Sequence, residues 1–204
     1  MAGKSAPAAY RLLRPLPVHR LDQYTSGVFC MAMNAEARRR LISQLRAGGI
    51  QREYVAFVQG RPASPKGTWR DWAQLGRGEL RQKIISQSQV KEAASEAREA
   101  VTHYEVIAEY PLLDGKSIIT KLRLRLESGL KHQIRAQAAH AGLPLVGDRA
   151  YNSGRALVDF PRQALHAQLL ELEHPGRQGR RMKWFSELPK DLRLLEAALH
   201  ESRL

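Results

Sequence analysis

The sequence predicts an α+β protein with a mixed, largely antiparallel central sheet and flanking helices. Segments with the apolar period of two that is typical of strands are interspersed with helical segments. They do not follow the regular strand–helix–strand order that indicates a parallel sheet. The 204 residues are 43% hydrophobic, which is enough for one core without disulfides. We therefore predict a single domain over residues 1–204.

The first half of the chain predicts two strands, a helix and an arm. Residues 28–33 form an apolar run that we expect to be a buried strand. Asn34 is a typical N-cap for a helix that should end at Gly48 and Gly49. Residues 52–60 are rich in β-formers and predict a largely buried strand. Residues 76–100 are small and polar, and we expect an exposed arm or insertion.

The second half predicts four strands and two helices. Ser128 is expected to cap a helix over residues 130–141, and a last helix should begin near Pro189. The strand over 117–127 alternates apolar residues with three cations, which form either a solvated face or a face that binds RNA. The predicted strands are residues 102–110, 117–127, 165–172 and 181–185.

The charge of the chain favours a polyanionic partner. Lys and Arg number 33 against 20 Asp and Glu, which gives a net charge of +13. Nucleic acid is the first candidate, since no basic amphipathic helix supports a membrane surface. The single cysteine, Cys30, excludes an internal disulfide, and residues 1–10 lack the apolar region of a leader. We expect a cytoplasmic monomer that does not bind membranes.

Several kinds of site are absent from the sequence. No pair of histidines or cysteines has the spacing of metal ligands, and no glycine-rich loop has the spacing of a phosphate site. The Gly-x-Ser-x-Gly signature of a serine nucleophile is missing as well. We predict neither a metal nor a cofactor.

Two segments carry residues suited to chemistry. Asp22 lies between Arg20 and a Thr-Ser-Gly turn, where it is either a catalytic acid or a residue that forms the turn. In the predicted helix, Lys131 and Arg135 would share one face. That face is either solvated, or Arg135 pairs with a buried carboxylate while Lys131 reaches a phosphate.

These segments belong to a series of motifs that resembles the RluA-type pseudouridine synthases. The resemblance extends from about residue 18 to residue 195, and the motifs occur in the order of the family. They are His19-Arg20-Leu21-Asp22 with Thr25-Ser26-Gly27, Arg52-x-Tyr54-x-Ala56-x-Val58-x-Gly60, Ala100-x-Thr102-x-Tyr104, Glu127-x-Gly129, His132-Gln133-Ile134-Arg135, Gly142-x-Pro144-Leu145-Val146-Gly147-Asp148 with Tyr151, Leu165-His166-Ala167, and His174-Pro175.

The resemblance implies an enzyme that converts uridine in structured ribosomal or transfer RNA to pseudouridine without a cofactor. Asp22 would be the nucleophile, attacking either the uracil ring or the anomeric carbon of the ribose. Attack requires an ionised acid, and the resemblance implies Arg135 as the cation that keeps it charged. Tyr54 would stack on the base and take part in removing the proton from carbon 5, or it is a strand tyrosine packed at the rim of the site.

The same resemblance implies how the RNA is held. The target base must leave its stack, and Arg20 would fill the vacated space or contact a phosphate. Lys131, His132 and Gln133 are the other residues expected to bind RNA.

The sequence departs from the family at its start. Residues 1–17 form a short, atypical segment in place of the usual preceding strand, and no S4-like RNA-binding domain is recognised. The alternative is therefore a non-catalytic RNA-binding or ribosome-assembly factor on the same scaffold. The presence of Asp22, Tyr54 and Arg135 together favours the enzyme.

Overall fold

The computed structural model describes residues 14–74, 81–90, 96–154 and 156–201. It confirms the α+β class, because a largely antiparallel sheet carries helices on both faces. Its strands run in the order β10-β9-β4-β8-β7-β5-β6, and β2 pairs in parallel with β9. The strands are β1 Leu16–Pro17, β2 Ser26–Gly27, β3 Met31–Ala32, β4 Gln51–Gln59, β5 Lys66–Gln74, β6 Lys83–Ile85, β7 Ala97–Pro111, β8 Ile118–Leu126, β9 Leu165–Glu173 and β10 Arg181–Phe185, and the helices are α1 Ala35–Arg46, α2 Gln87–Val90, α3 Gln133–His140 and α4 Lys190–Glu201.

Strand β4 is apolar on both sides because both faces of the sheet are covered. Tyr54, Ala56 and Val58 point into a core that α3 closes, whereas Val55 and Phe57 point into a core that α4 closes. A strand buried on both faces needs an apolar residue at every position and not at every second one. This explains the continuous apolar run that predicted β4.

A β-bulge in β9 brings α1 to the same face of the sheet as α3. The register passes from Glu53 opposite Leu169 to Tyr54 opposite Ala167, so Gln168 is the extra residue. An extra residue shifts the alternation of side chains by one position. Leu170, opposite Arg52, therefore packs beneath α1 on the face that also carries Tyr54.

The helices α1 and α4 form as predicted. The Asn34 side chain accepts a hydrogen bond of 2.8 Å from the Ala37 amide and begins α1. Leu192, Leu195 and Leu199 recur at helical spacing on α4 and are buried against the second core. Within the described part of the chain, no helix has the length and apolar character needed to cross a membrane.

The prediction of a buried strand over residues 28–33 is wrong. Only Met31 and Ala32 form a strand, which pairs with β1 in a separate two-stranded ribbon. Ala32 packs against α1, but Phe29, Met31 and Met33 are 40%, 45% and 51% exposed. The ribbon is covered on one side only, so alternate side chains face solvent.

The helix predicted over residues 130–141 is shorter, and Ser128 does not cap it. α3 begins at Gln133 because His132 has a left-handed backbone with φ of 53°. The Ser128 hydroxyl instead donates to Gln133 Oε1 at 2.9 Å and accepts from the Val101 amide at 2.8 Å. Lys131 precedes the helix, so the argument that it shares a helical face with Arg135 is wrong.

The expected arm at residues 76–100 is partly built into the sheet. Residues 75–80 and 91–95 lie outside the described residues, but β6 pairs with β5 and β7 begins at Ala97. The prediction of exposure is wrong for the buried strand residues Ile85, Ala97 and Ala100, whereas Lys83, Arg98 and Glu99 are exposed as predicted. Small and polar composition misled the interpretation, because cross-strand pairing there involves the backbone.

Candidate active site

Asp22 lies at the start of a tight turn that precedes β2. The Thr25 amide donates a hydrogen bond of 2.9 Å to the Asp22 carbonyl, and Tyr24 adopts a φ of 70°. Gly27 has a φ of 115°, and a side chain there would collide with the Ala167 backbone. Glycine therefore lets the turn pair closely with β9, which fixes the position of Asp22 relative to the sheet.

Side chains from distant parts of the chain hold this turn. Arg162 donates to the Tyr24 carbonyl at 2.9 Å and to Ser26 Oγ at 3.3 Å, while its Nε pairs with Asp191 of α4 at 2.7 Å. Gln163 donates to the Gln23 carbonyl at 2.5 Å. The polar Thr-Ser-Gly stretch is thus anchored by tertiary contacts.

His166 forms a further anchor from β9. Its Nδ1 lies 3.0 Å from Ser26 Oγ, and its Nε2 lies 3.0 Å from the Ser186 carbonyl. A neutral ring with its proton on Nε2 satisfies both contacts. Burial lowers the pKa of His166, and Arg162 lowers it further, against the opposing effect of Ser186. The neutral form is therefore the form that fits the turn.

The Asp22 carboxylate faces two residues of the α3 region. Its Oδ2 is 3.8 Å from Arg135 Nη1, and its Oδ1 is 4.0 Å from His132 Nε2. The Asp22 side chain is only 12% exposed. The predicted pair of Asp22 and Arg135 is thus brought together, at the length of a loose ion pair and not of a tight hydrogen bond.

Arg135 is held in place by a second carboxylate, Asp148. Two hydrogen bonds, Nε to Oδ2 at 2.6 Å and Nη2 to Oδ1 at 2.8 Å, form a bidentate pair. Burial lowers the pKa of Arg135, but the hydrogen bonds and charge of Asp148 outweigh it and raise the pKa overall. The amides of Ala150 and Tyr151 also donate to Asp148 Oδ1. Arg135 is therefore fixed as a cation beside Asp22.

His132 is oriented by Tyr151. The Tyr151 hydroxyl accepts from the Gln82 amide at 2.6 Å and lies 3.1 Å from His132 Nδ1. We assign the hydroxyl proton to this second contact, which leaves Nε2–H of the neutral ring towards Asp22. Burial lowers the pKa of His132 more than the charge of Asp22 raises it.

Tyr54 lines the cavity that opens beside Asp22. It is 6% exposed and packs with the core that α3 closes. Burial raises the pKa of its phenol, with Arg52 lowering it and Asp22 raising it further. Tyr54 therefore stays protonated, and it lies close enough to Asp22 for the charge of that carboxylate to act on its phenol.

A cavity of about 700 Å³ opens next to Asp22 on the face of the sheet that carries α1 and α3. Arg20 and Tyr54 line it together with Asp22, and the apolar part of its wall includes Leu21, Ile134 and Leu165. A cavity of this size accommodates a nucleobase with part of its nucleotide.

The four residues predicted to bind RNA differ in their placement. Arg20 is exposed at the cavity, and no carboxylate of the described residues pairs with it. His132 reaches Asp22, while Lys131 lies in the preceding turn, outside the cavity wall. Gln133 is 3% exposed, and its side-chain amide is fully hydrogen-bonded within the protein. Its Oε1 accepts from Ser128 and Leu130, and its Nε2 donates to Val101 and Thr102. Gln133 thus holds the turn before α3 and also lines the cavity, and its contact with RNA stays a prediction.

The chain is similar to proteins of a known family over most of its length. The profile of the family described as RNA pseudouridylate synthase matches residues 4–140, about two thirds of the chain. The chain belongs to this family. The resemblance to the RluA-type synthases stated from the motifs is confirmed.

Several curated relatives carry the name ribosomal large subunit pseudouridine synthase D, among them proteins of Pseudomonas aeruginosa and Vibrio cholerae. The protein of Pseudomonas aeruginosa is 39% identical, with 91% of this chain and 57% of the relative covered. The protein of Vibrio cholerae is 36% identical, with 90% and 56% covered. The chain thus spans a little over half the length of these relatives.

A solved structure supports the fold of the family. Human RNA pseudouridylate synthase domain containing 1 superposes with a TM-score of 0.70 at 22% identity, covering 94% of this chain and 82% of the human one. At this identity the likeness concerns the fold alone.

Sequence reasoning on the family motifs missed the roles of Asp148 and Arg162. Asp148 belongs to the motif of residues 142–148. Its position directly after Gly147 could have indicated that it lies in a tight turn. A side chain at Gly147, whose φ is 71°, would collide with the Arg162 backbone, so glycine lets that turn close. For Arg162 no local pattern existed, because its partners lie about 140 residues earlier and 29 residues later in the chain. Among the described residues, no group of His, Cys, Asp or Glu is placed to hold a metal ion.

Proposed function

We propose that this chain is an RNA pseudouridine synthase that isomerises a specific uridine of structured ribosomal or transfer RNA, with Asp22 as nucleophile and without a cofactor. The observation that carries the proposal is the position of the Asp22 carboxylate. It opens into a cavity beside Tyr54 while a fixed cation, Arg135, lies 3.8 Å away. An aspartate that only stabilised the turn would need neither the cavity nor the nearby cation.

The reaction needs one nucleophile and a means of moving protons. Asp22 forms a covalent bond either to the ribose anomeric carbon or to the uracil ring, which divides a difficult exchange into two steps. The bond from N1 to the ribose breaks, the base turns, and a bond from carbon 5 to the ribose forms. Carbon 5 loses a proton and N1 gains one, so the product is an isomer and no electrons are transferred.

The residues around Asp22 have separate roles in this scheme. Arg135 places a positive charge 3.8 Å from the Asp22 carboxylate and stabilises that carboxylate when it is released again. Tyr54 stacks on the base and assists the removal of the proton at carbon 5. His132 adds a polar neighbour to the Asp22 carboxylate, with its Nε2 4.0 Å from Oδ1.

The substrate must present the uridine outside its stack. Unstacking a base costs about a few kcal/mol, and contacts such as that of Arg20 in the vacated space offset it. The net charge of +13 supports a phosphate-rich partner. The names of the two relatives favour ribosomal RNA of the large subunit.

The proposal is tested with RNA that lacks pseudouridine and carries tritium at carbon 5 of uridine. Isomerisation replaces the bond from carbon 5 to hydrogen, so the protein should release tritium into water without added metal or cofactor. Asp22→Ala should abolish release while RNA binding persists. The matched control is Asp159→Ala, which removes an exposed carboxylate outside the cavity wall.

Absence of tritium release by the folded wild-type protein, on total RNA of this kind, would contradict the proposal. Salt-sensitive RNA binding without release would instead support the non-catalytic RNA-binding factor.

A further inference from the structure

Arg52 is a buried cation in the cavity beside Asp22, and none of the steps above uses it. It lies on β4, two residues before Tyr54 and on the same face of the sheet. The residue is 7% exposed, and burial lowers the pKa of its guanidinium. The fold therefore holds this charge largely away from water.

The charge of Arg52 is not compensated by the protein. Its Nη2 donates to the Ser128 carbonyl at 3.2 Å, whereas its Nε is buried without a partner. No carboxylate of the described residues forms an ion pair with it. A buried charge without a partner destabilises a fold, so stability alone does not explain why this position carries an arginine.

Gly129 makes the room that Arg52 occupies. A side chain at this position would collide with Nη1 of Arg52, and Gly129 also lines the cavity. The bare backbone lets the guanidinium lie against the turn of residues 128–130. Arg52 is thus held at the wall of the cavity, where a ligand can meet it.

The cavity has the charge expected of a site for an anion. Its wall carries more cations than carboxylates, namely Arg20, Arg38, Arg46 and Arg52 against Asp22 and Glu127. The planar fork of an arginine matches the oxygens of a phosphate and binds two of them at once. A phosphate is therefore the group that would satisfy the buried guanidinium.

Two residues along a strand span about 7 Å, the scale of one nucleotide. A uracil at Tyr54 and Asp22 would hence have a backbone phosphate near Arg52. We propose that Arg52 binds a phosphodiester of the RNA strand next to the nucleotide whose base reaches Asp22. This inference rests on the proposed function, because it assumes that RNA enters the cavity.

The salt dependence of RNA binding tests the proposal. The probe is single-stranded oligouridylate of ten nucleotides, and its dissociation constant is measured by fluorescence anisotropy over a series of KCl concentrations. Isomerisation leaves every phosphate in place, so turnover does not disturb the measurement. Each phosphate contact on a single strand contributes about 0.7 to the slope of log K against log salt.

Arg52→Gln should weaken binding about tenfold or more and reduce the slope by about 0.7. The matched control, Arg193→Gln, removes the same charge from an exposed position on α4, which packs against the opposite face of the sheet, and should keep the wild-type slope. A slope of Arg52→Gln equal to that of wild type would overturn the proposal. If Arg52→Gln does not fold, Gly129→Ala displaces the guanidinium without changing the net charge, and an unchanged slope then overturns the proposal.

The outcome is independent of the chemistry at Asp22. Tritium release by the wild-type protein together with an unchanged slope would refute the phosphate site alone. A reduced slope in a protein that releases no tritium would support the phosphate site and refute the isomerase.

Discussion

The two sides of the cavity beside Asp22 each carry a buried arginine, and the two differ in their partners. On the α3 side, Arg135 forms a bidentate pair with Asp148. On the β4 side, Arg52 has one carbonyl partner and a buried Nε without any. Among its described residues, the protein therefore supplies a counter-charge for Arg135 and none for Arg52.

This difference indicates that Arg135 organises the site, whereas Arg52 is suited to bind a ligand. Arg135 needs no substrate to stay in place, so it is ready to act on Asp22 before RNA binds. Arg52 would gain a counter-charge from an anion in the cavity. The protein thus fixes Arg135 by itself, whereas the ligand would supply the counter-charge of Arg52.

The largest effect on stability is expected from Asp148→Asn. This change removes the bidentate partner of Arg135 and leaves it buried with only the loose ion pair to Asp22, which costs about 3–5 kcal/mol of unfolding free energy. Urea denaturation measures it. Asp191→Asn is the control, because Asp191 is 38% exposed in its pair with Arg162 and should cost about 1 kcal/mol. Equal losses in the two variants would refute the special status of the pair formed by Arg135 and Asp148.

Arg162→Met should impair catalysis more than its distance from the reacting groups suggests. The change removes the contacts to Tyr24 and Ser26 that fix the Asp22 turn. A displaced nucleophile lowers the single-turnover rate of tritium release by about 10²-fold. Arg181→Met, which breaks a pair with Glu171 on an exposed strand, is the control. A wild-type rate for Arg162→Met would show that the Asp22 turn keeps its position without the contacts of Arg162.

Acid should weaken the anchoring of the Asp22 turn through His166. Its pKa is lowered in the folded state, so the unfolded chain binds more protons as pH falls. The stabilisation is present above about pH 6.5 and is lost as pH falls below it. Thermal unfolding from pH 7 to pH 5 should show a decline that is smaller in His166→Gln than in wild type. The exposed His140→Gln should keep the full decline, and an identical decline in all three proteins would contradict this role of His166.

The smallest effect on stability is expected from Arg52→Met. An apolar side chain of similar length removes an uncompensated charge, so the unfolding free energy should stay the same or rise. The experiment is the same urea titration as for Asp148→Asn. A loss of several kcal/mol would show that Arg52 supports the fold, and the comparison of the two arginines would fail.

The sequence predicted those parts of the molecule that local patterns determine. The alternation in β8 and the N-cap at Asn34 are local features, and both structures formed as predicted. The motifs also identified the pair of Asp22 and Arg135, because the family resemblance carries long-range information that periodicity does not.

The errors arose where tertiary contacts override local preference. Ser128 has the chemistry of an N-cap, but its hydroxyl is bound to Val101 and Gln133, and the helix starts later. The compensation of Arg135 by Asp148 and the lack of it at Arg52 depend on residues that only the fold brings close. No spacing in the sequence distinguishes these two arginines.

The central claim is that the carboxylate of Asp22 is the nucleophile in a cavity that the rest of the fold keeps intact. Asp22→Asn tests it most directly, because the amide keeps the size of the side chain and Arg135 keeps its pair with Asp148. Single-turnover tritium release and RNA binding are measured on the same preparation. We predict binding within about threefold of wild type and a rate lowered by about 10⁴-fold or more. Release at a rate close to that of wild type would contradict the account.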